Sequence, residues 1–391
     1  MGWKTLFRGG LGLLLCAGFL PVQSQNVRQC LEKAGPIHFD PSGWKTDFCR
    51  SLVPLAEIRS GGPPRDGIPP IDRPRFVSVA EADRWLEDPE PVLFFEHRGD
   101  ARAYPLQILV WHEIVNDSVG GLPVAITFCP LCHAALVFER PEVDGVRLTF
   151  GTTGNLRHSD LVMWDRQTES WWQQFEGRAI VGRLAGYRLR SLPTMLIDWR
   201  TFKQQYPQGR VLSRQTGYRR PYGRNPYPGY ERLDRPPLLL RKLDDSRLLP
   251  MHKVVGVVHQ GQARAYPLAL LQRRRVVMDT LGGAPLVLFW KKGAAAALDG
   301  TTVAGGRKEG SVGVFLRQIN DQMLTFEARP DGFYDRETGS RWTITGRAVA
   351  GPLRGARLTP LVHHLVFWFV WAVFQPEGSL YTENQTSDGL D

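Results

Sequence analysis

Two cysteines and a histidine stand together in the stretch VAITFCPLCHAALVFER, residues 124–140. As C-x-x-C-H, the residues Cys129, Cys132 and His133 would be a tag for covalent c-type haem. As C-x-x-C, the pair is typical of a metal site, a redox dithiol or a structural disulfide. Apolar, strand-like runs flank the motif, whereas haem attachment usually uses an exposed helical turn. We therefore expect a soft metal, copper or zinc, or a redox dithiol, with a structural Cys129–Cys132 disulfide as the alternative and haem as a minor one.

Two further candidate ligands precede the cysteines, in the sequence WHE at residues 111–113. A Gly-Gly pair at 120–121 indicates a β-hairpin, in which the numbers of opposed residues sum to about 240. Residues 111–113 would then lie across the hairpin from residues 127–129, within side-chain reach. An imidazole or carboxylate beside two thiols would form a metal site or a base next to a nucleophile. We therefore predict His112 and Glu113 as partners of the thiols.

The chain contains an internal repeat. Residues 101–128 and 263–290 align without a gap at an offset of 162 residues, and both begin ARAYP. DRETGSRW and GRAVAG in the second half likewise correspond to DRQTESWW and GRAIVG in the first. In each copy, short strands with Gly turns surround a short helix, and a second helix closes the unit at residues 194–205 or 361–374. The pattern predicts a mainly β, α+β fold of two tandem copies, each of about 110–120 residues, forming two lobes about a pseudo-twofold axis.

The two copies differ in the residues that could do chemistry. Only the first copy contains WHE, CPLCH and the polar segment GNLRHSD at residues 154–160. The shared residues, including the Gly-Gly and Asp-Arg pairs, are typical of turns and packing. Chemistry is therefore expected in the first copy. In the polar segment, Arg157 and His158 are candidate ligand contacts beside the thiols, and a purely structural strand-entry turn is the alternative.

A segment rich in Tyr, Arg, Pro and Gly, GYRRPYGRNPYPGYERLDRPP, joins the two copies at residues 217–237. Its density of Pro, Gly and Asn excludes regular secondary structure. Four tyrosines are unusual for a solvated linker, so we predict an ordered strap over the interface between the lobes. Tyr222, Arg224 and Tyr227 are candidate ligand contacts there, and packing is the alternative role.

The first 24 residues have the features of a secretory signal peptide: basic residues, an apolar run, and a cleavage site between Ser24 and Gln25. The mature protein is therefore expected to be periplasmic or secreted. Removal of the signal leaves four cysteines. In an oxidising compartment, Cys30 and Cys49 are expected to form a structural disulfide in the N-terminal arm.

The net charge of +10 comes largely from arginines scattered along the chain and not from one basic patch. Together with export, this distribution argues against nucleic-acid binding. The apolar run at residues 361–374 has 14 residues, too few to cross a bilayer, so no stable membrane insertion is expected. It predicts a buried helix with Leu365, Trp368 and Trp371 on one stripe.

These features divide the chain into six segments. They are a signal peptide (1–24), an N-terminal arm (25–90), a first lobe that carries the cysteines (91–210), a strap (211–250), a second lobe (251–376) and a polar tail (377–391). None of them selects a substrate or a reaction, so the sequence leaves open whether the protein is an enzyme.

Several of these motifs together resemble a bacterial family known as domain of unknown function 3179 (DUF3179). The motifs span roughly residues 90–382 and include WHEIVND, TFCPLC, LVMWDRQTESWW, YGRNPY and FWFVWAVFQP. The resemblance implies no activity or cofactor, because the function of the family is uncharacterised. The family commonly has another residue at the position of His133, which argues against haem. Its usual pattern around residues 154–160 also differs at His158, which argues against a catalytic role for that residue.

Overall fold

The computed structural model describes residues 1–2, 29–33, 35–240 and 242–383. Within these ranges the protein is built mainly from β-strands, as the sequence predicts. After residue 35 the helices are short: α1 (Val79–Ala82), α2 (Leu106–His112), α3 (Trp199–Gln205), α4 (Leu268–Arg274) and α5 (Trp368–Phe374). Single 3-10 turns lie at Leu55–Glu57 and Pro130–Cys132.

The strands are numbered in chain order. Those of the first half are β1 (Ile58–Ser60), β2 (Phe76–Ser78), β3 (Pro91–His97), β4 (Asp100–Pro105), β5 (Ile114–Val119), β6 (Leu122–Cys129), β7 (Ala134–Glu139), β8 (Glu142–Val143), β9 (Val146–Arg147), β10 (Phe150–Arg157), β11 (Asp160–Asp165), β12 (Trp171–Gln173), β13 (Arg178–Val181), β14 (Ser191–Leu192), β15 (Met195–Asp198) and β16 (Arg210–Leu212). Those of the second half are β17 (Lys253–His259), β18 (Gln262–Pro267), β19 (Val276–Leu281), β20 (Ala284–Lys291), β21 (Ser311–Leu316), β22 (Gln318–Ile319), β23 (Gln322–Met323), β24 (Phe326–Arg329), β25 (Gly332–Asp335), β26 (Arg341–Trp342), β27 (Ala348–Ala350), β28 (His363–Phe367) and β29 (Ser379–Leu380).

Each half contributes three larger sheets. In the first half their strand orders are β15-β3-β4-β16-β2, β14-β7-β6-β5 and β1-β10-β11-β12-β13. In the second half the orders are β28-β17-β18-β29, β19-β20-β21 and β24-β25-β26-β27. Among these larger sheets, the parallel neighbours are β4 with β16 and β18 with β29, and the other pairs are antiparallel. The sheets β5–β7 and β10–β13 carry the residues of the candidate site.

The predicted Gly-Gly hairpin forms, but its register differs by one residue from the expected one. The paired numbers of β5 and β6 sum to 241, as for Ile114 with Thr127. The turn is the two-residue pair 120–121, with positive φ angles of 52° and 83°, which suits a tight twisted hairpin. Residues 111–112 belong to helix α2 and not to the strand. The prediction that they oppose the cysteine end of β6 is therefore wrong, and Cys129 pairs with the first residue of β7 instead.

The two closing helices are shorter than predicted, because a strand precedes each of them. Residues 195–198 form β15 and residues 363–367 form β28, before α3 and α5 begin. These strands pair with β3 and β17, so their backbone groups are satisfied by sheet hydrogen bonds. Leu365 consequently lies in a strand and not on the helical stripe. Trp368 and Trp371 are fully buried on α5, as the stripe predicts.

The N-terminal arm packs onto the first half. Its predicted disulfide between Cys30 and Cys49 is present. The rings of Phe39 and Phe48 lie 5.0 and 5.2 Å from that of Trp171, and β1 extends the sheet next to β10. The predicted signal peptide lies, apart from its first two residues, outside the described chain. Within the described ranges, no helix is both long enough and apolar enough to cross a bilayer.

A buried carboxyl gives the fold a testable pH dependence. Glu90 accepts a hydrogen bond of 2.5 Å from Gln107, which also binds Arg214. Burial raises the pKa of Glu90 from 4.5 to about 7, against the lowering effect of the Gln107 hydrogen bond. Because the folded-state pKa of Glu90 lies above the unfolded one, the protonated carboxyl stabilises the folded state. This stabilisation is fully present below pH 4.5 and is lost as the pH rises through 7.

We expect the free energy of unfolding of the wild type to fall by about 3 kcal/mol between pH 4.5 and 8 because of Glu90. Glu90→Gln should not show this fall. Urea denaturation at several pH values measures this quantity. Glu87→Gln, at an exposed neighbouring position, is the control and should retain most of the wild-type pH dependence, because the charge of Glu87 is the smallest of the effects on the pKa of Glu90. An unchanged slope in Glu90→Gln would show that Glu90 is not responsible.

Candidate functional site

The two cysteines flank a tight turn between two buried strands. Cys129 ends β6, the 3-10 turn Pro130–Cys132 follows, and β7 begins immediately after His133. Proline suits the first position of this turn because its fixed φ is already helical. His133 reverses the chain with a φ of 56°, in the left-handed region. Both cysteines are free thiols and almost completely buried, at 1% and 0% exposure.

A carboxyl from a second hairpin lies beside the two thiols. The strands β10 and β11 are connected by the two-residue turn 158–159, after which β11 begins at Asp160. The two sulfurs and one oxygen of Asp160 all lie within 4.8 Å of one another, and all three residues are buried. The carbonyl oxygen of Ser159 accepts a hydrogen bond of 3.4 Å from the Cys132 thiol. The turn before β11 therefore forms one wall of the site.

Asp160 is only partly satisfied by the protein around it. Its Oδ2 accepts hydrogen bonds from Gln173 Nε2 at 2.5 Å and from the backbone N–H of Phe175 at 2.9 Å. Its Oδ1 is buried and, among the described residues, accepts no hydrogen bond from an N–H or O–H group; the weak donor beside the carboxyl is the Cys132 thiol, which lowers the pKa of Asp160. A buried carboxylate oxygen without a donor is unfavourable, so this atom is available to a positively charged partner.

Burial makes the ionised forms of these groups unfavourable. Desolvation raises the pKa of Cys129 and raises that of Cys132 well above the usual range. It also raises the pKa of Asp160 to about 6. Glu113 lies near enough for the charge of Asp160 to add to its own burial, and its pKa rises to about 8. Four acidic groups thus share a buried region, and among the described residues no lysine or arginine is a leading influence on the pKa of Cys129, Cys132 or Asp160.

The predicted partners His112 and Glu113 separate in the structure. His112 is buried, with Nδ1 2.7 Å from the Pro69 carbonyl oxygen and Nε2 2.6 Å from the Tyr222 hydroxyl. Glu113, at the end of α2, has a φ of 58°, so its side chain leaves the helix in a different direction. Glu113 affects the pKa of Cys129, whereas His112 is outside the cysteine–aspartate group. The structure therefore brings Glu113 to the region of the thiols, whereas His112 hydrogen-bonds to Tyr222 of the strap.

The strap covers the site with tyrosines. The hydroxyl of Tyr230 donates a hydrogen bond of 3.1 Å to the carbonyl oxygen of Leu131, inside the cysteine turn. Burial, with the charges of Glu113 and Cys129, raises the pKa of Tyr227, a second tyrosine of the strap.

The remaining predicted contacts lie farther out. Tyr222 bonds to His112, and the backbone of Arg224 bridges to the second half at Thr302. Arg157 and His158 both face Glu57 of the arm, at 2.7 and 3.3 Å. These contacts make them part of the attachment between the arm and the first half.

A buried ionic cluster lies behind the cysteine turn, and the sequence interpretation did not identify it. The ammonium of Lys253 contacts Glu231 at 2.8 Å and Glu309 at 2.6 Å. His133 Nε2 lies 4.0 Å from the first carboxylate and 3.8 Å from the second. Burial, followed by the charge of Lys253, lowers the pKa of His133 to about 3, so this imidazole is neutral. The cluster joins the turn, the strap and the second half.

Asp160 was also missed as a ligand, although its segment was singled out. GNLRHSD occurs in the first copy alone, and Asp160 is its last residue. The available signal was the apolar run at 161–164, which predicts a buried strand directly after Asp160. In the structure all six residues of that strand, Asp160 included, are buried, whereas Arg157 and His158 remain partly exposed.

Residues 65–378 match the family model described as "Protein of unknown function (DUF3179)". Because the match covers most of the chain, the protein belongs to this family, as its motifs indicate. No curated protein and no solved structure matches the chain. The family description carries no activity, and the function must be inferred from the site itself.

Proposed function

We propose that the protein binds one thiophilic cation, Zn²⁺ or Cu⁺, through Cys129, Cys132 and Asp160, with Glu113 as a further candidate ligand. The observation that carries this proposal is the buried trio of ligand atoms within 4.8 Å, in which Oδ1 of Asp160 has no N–H or O–H donor. Tetrahedral zinc with bonds of about 2.0–2.3 Å needs ligand atoms roughly 3.5–3.8 Å apart. Small side-chain movements would reach that geometry.

Charge favours a metal over an uncharged dithiol. Ionised thiols and carboxylates are unfavourable in this site because they are desolvated, and a cation would neutralise them together. Thiolate ligands select Cu⁺ and Zn²⁺ over hard cations such as Mg²⁺. When bound, the metal would hold the β6–β7 hairpin and the β10–β11 hairpin together, or act as a Lewis acid toward a ligand.

A redox dithiol is the second candidate, supported by the free thiols at C-x-x-C spacing. Burial opposes it. Exchange begins with a thiolate attacking an accessible disulfide, whereas both sulfurs are buried and their pKa values are raised. A Cys129–Cys132 disulfide that only staples the turn remains the non-catalytic alternative, in which the strap region would bind a ligand.

We further propose that the protein is exported and that its two halves are duplicated lobes. Duplication is supported by reciprocal contacts: β15 of the first half packs on β21, and β28 of the second half packs on β7. It is also supported by recurring polar networks. Asp117 accepts from Tyr104, and Asp279 accepts from Tyr266, each at 2.6 Å. Export is supported by the N-terminal sequence and by the arm disulfide.

Native and denatured intact masses of the purified mature protein test the metal proposal. We expect one metal ion in the native mass, lost on denaturation, with both thiols then free to alkylate. Cys132→Ser should lose the ion, and His112→Gln should keep it, because His112 is held by Pro69 and Tyr222.

Other outcomes would reject the metal site. A mass two hydrogens lighter at Cys129 and Cys132, without metal, would indicate a disulfide staple or the oxidised form of a dithiol. Reversible reduction under native conditions would then favour the dithiol. An N-terminus at Gln25 in protein recovered from outside the cytoplasm would support export.

A further inference from the structure

A cleft of about 270 Å³ lies where residues of the two halves meet, and none of the cysteine-site residues lines it. Phe94 and Tyr206 form its first-half wall, and Leu358 and Leu361 form its second-half wall. The walls are therefore largely apolar. A concave, apolar site between two packed units is the usual location of a small-molecule site.

The rim of this cleft is cationic. Arg98, Arg347 and Arg357 line it, opposed by the single carboxylate Glu96. Arg357 is paired with Glu96 at 2.8 Å. In the part of the chain that the structure describes, Arg98 and Arg347 have no carboxylate partner. The guanidinium of Arg347 instead lies 5.5 Å from the centroid of the Tyr206 ring. Two arginines therefore line the cleft without a carboxylate of their own, and Arg347 also interacts with Tyr206, so both are available to an anion.

We propose that this cleft binds a small organic carboxylate with an apolar body. A guanidinium presents parallel N–H donors that match the two oxygens of a carboxylate, which makes Arg the usual residue for such recognition. The volume equals about nine waters at ~30 Å³ each, enough for one aromatic ring or a short aliphatic chain. The carboxylate would lie between Arg98 and Arg347, and the apolar body between Phe94 and Leu358.

The first half supplies an internal control for this site. Arg347 and Arg357 are joined by a β-bridge, and Arg178 and Arg188 form the same type of bridge in the first half. Both Arg178 and Arg347 follow a glycine in a Gly-Arg-Ala sequence, yet Arg178 does not line the cleft. A substitution at Arg178 therefore repeats the chemical change of one at Arg347 without touching the proposed site.

Calorimetric titration of the full mature chain with phenylacetate tests the proposal, with phenylacetamide as the uncharged isostere. We expect phenylacetate to bind and the amide to bind about tenfold or more weakly, because it lacks the charge-assisted hydrogen bonds. Arg347→Gln should weaken phenylacetate binding by about tenfold or more. Arg98→Gln, in an exposed turn where misfolding is not a concern, should weaken it as well. Arg178→Gln should bind like the wild type.

Three results would overturn the proposal. They are equal binding of the acid and the amide, an equal loss in Arg178→Gln and Arg347→Gln, and no binding of phenylacetate at millimolar concentration. Since the cleft shares no residue with the cysteine site, these results are independent of whether a metal binds there.

Discussion

Replacement of Asp160 by asparagine is expected to stabilise the metal-free protein and to weaken metal binding. The amide keeps an oxygen for the donors of Gln173 and Phe175, which bind Oδ2. It removes the negative charge that Oδ1 presents to the thiols. The substitution therefore removes an unfavourable buried charge from the metal-free protein and removes a ligand from the metal-bound protein.

The gain in the metal-free state follows from the pKa of Asp160. Burial raises it from 3.8 to about 6, so the folded state binds the proton more tightly than the unfolded state does. The wild type is then expected to lose stability as the pH rises from about 4 through 6, by about 3 kcal/mol in total. Asp160→Asn should recover most of this at neutral pH and nothing in strong acid, where the carboxyl is protonated.

The loss of metal affinity follows from the number of ligands. Structural zinc sites contribute about 10–16 kcal/mol, divided among about four ligands. Removal of one anionic ligand should therefore lower the zinc affinity by about 100- to 1000-fold. Chelator competition measures this affinity, and urea denaturation of chelator-treated protein measures the stability of the metal-free state.

Asp165→Asn is the matched control, because Asp165 is fully buried at the other end of the same strand. Its carboxylate accepts hydrogen bonds from Thr168 and from the Trp172 indole, at 2.6–2.9 Å. Its replacement should destabilise the protein and leave zinc affinity unchanged. If Asp160→Asn behaved in the same way, Asp160 would be a structural acceptor and the metal site would be rejected.

The sequence predicted the parts of this site that depend on local pattern. The C-x-x-C spacing identified Cys129 and Cys132, and the Gly-Gly pair identified the hairpin between β5 and β6. The register failed by one residue, because the turn is the pair 120–121 and is not centred on Gly120, so the paired numbers sum to 241 and not 240. His112 was predicted beside the thiols because it was assigned to the strand, whereas α2 continues through residue 112 and the strand begins at Ile114.

Residues that converge from distant segments could not be predicted from spacing. Asp160 reaches the thiols only because the sheet β10–β13 packs against the sheet β5–β7. Glu309 offers a clearer example. Lys291 pairs with Ser311 as Cys129 pairs with Ala134, but 19 residues replace the four-residue turn. An ungapped comparison of the copies therefore could not align Glu309 with the cysteine turn.

Replacement of Lys253 by methionine is expected to lower the free energy of unfolding by about 3–5 kcal/mol. Lys253 holds two buried carboxylates, Glu231 and Glu309, whose side chains are 0% and 6% exposed. Methionine keeps most of the volume and removes the charge, so the two carboxylates would face each other with only the half-exposed Arg307, 3.3 Å from Glu231, as a counter-charge. Lys308→Met, at an exposed position next to Glu309, is the control and should change stability by less than about 0.5 kcal/mol.

The two carboxyls are not equivalent, and this makes a rescue possible. Burial raises the pKa of both, but attraction to Lys253, with hydrogen bonds from its ammonium and from the Leu298 backbone, outweighs it at Glu231, whose pKa is lowered. At Glu309 burial prevails and the pKa is raised. Glu309→Gln should therefore recover part of the stability lost in Lys253→Met, as measured by urea denaturation of the single and double variants. A loss below about 1 kcal/mol in Lys253→Met alone would mean that Glu309 takes up a proton at little expense. The cluster would then be held by its packing around His133, and not by the ammonium.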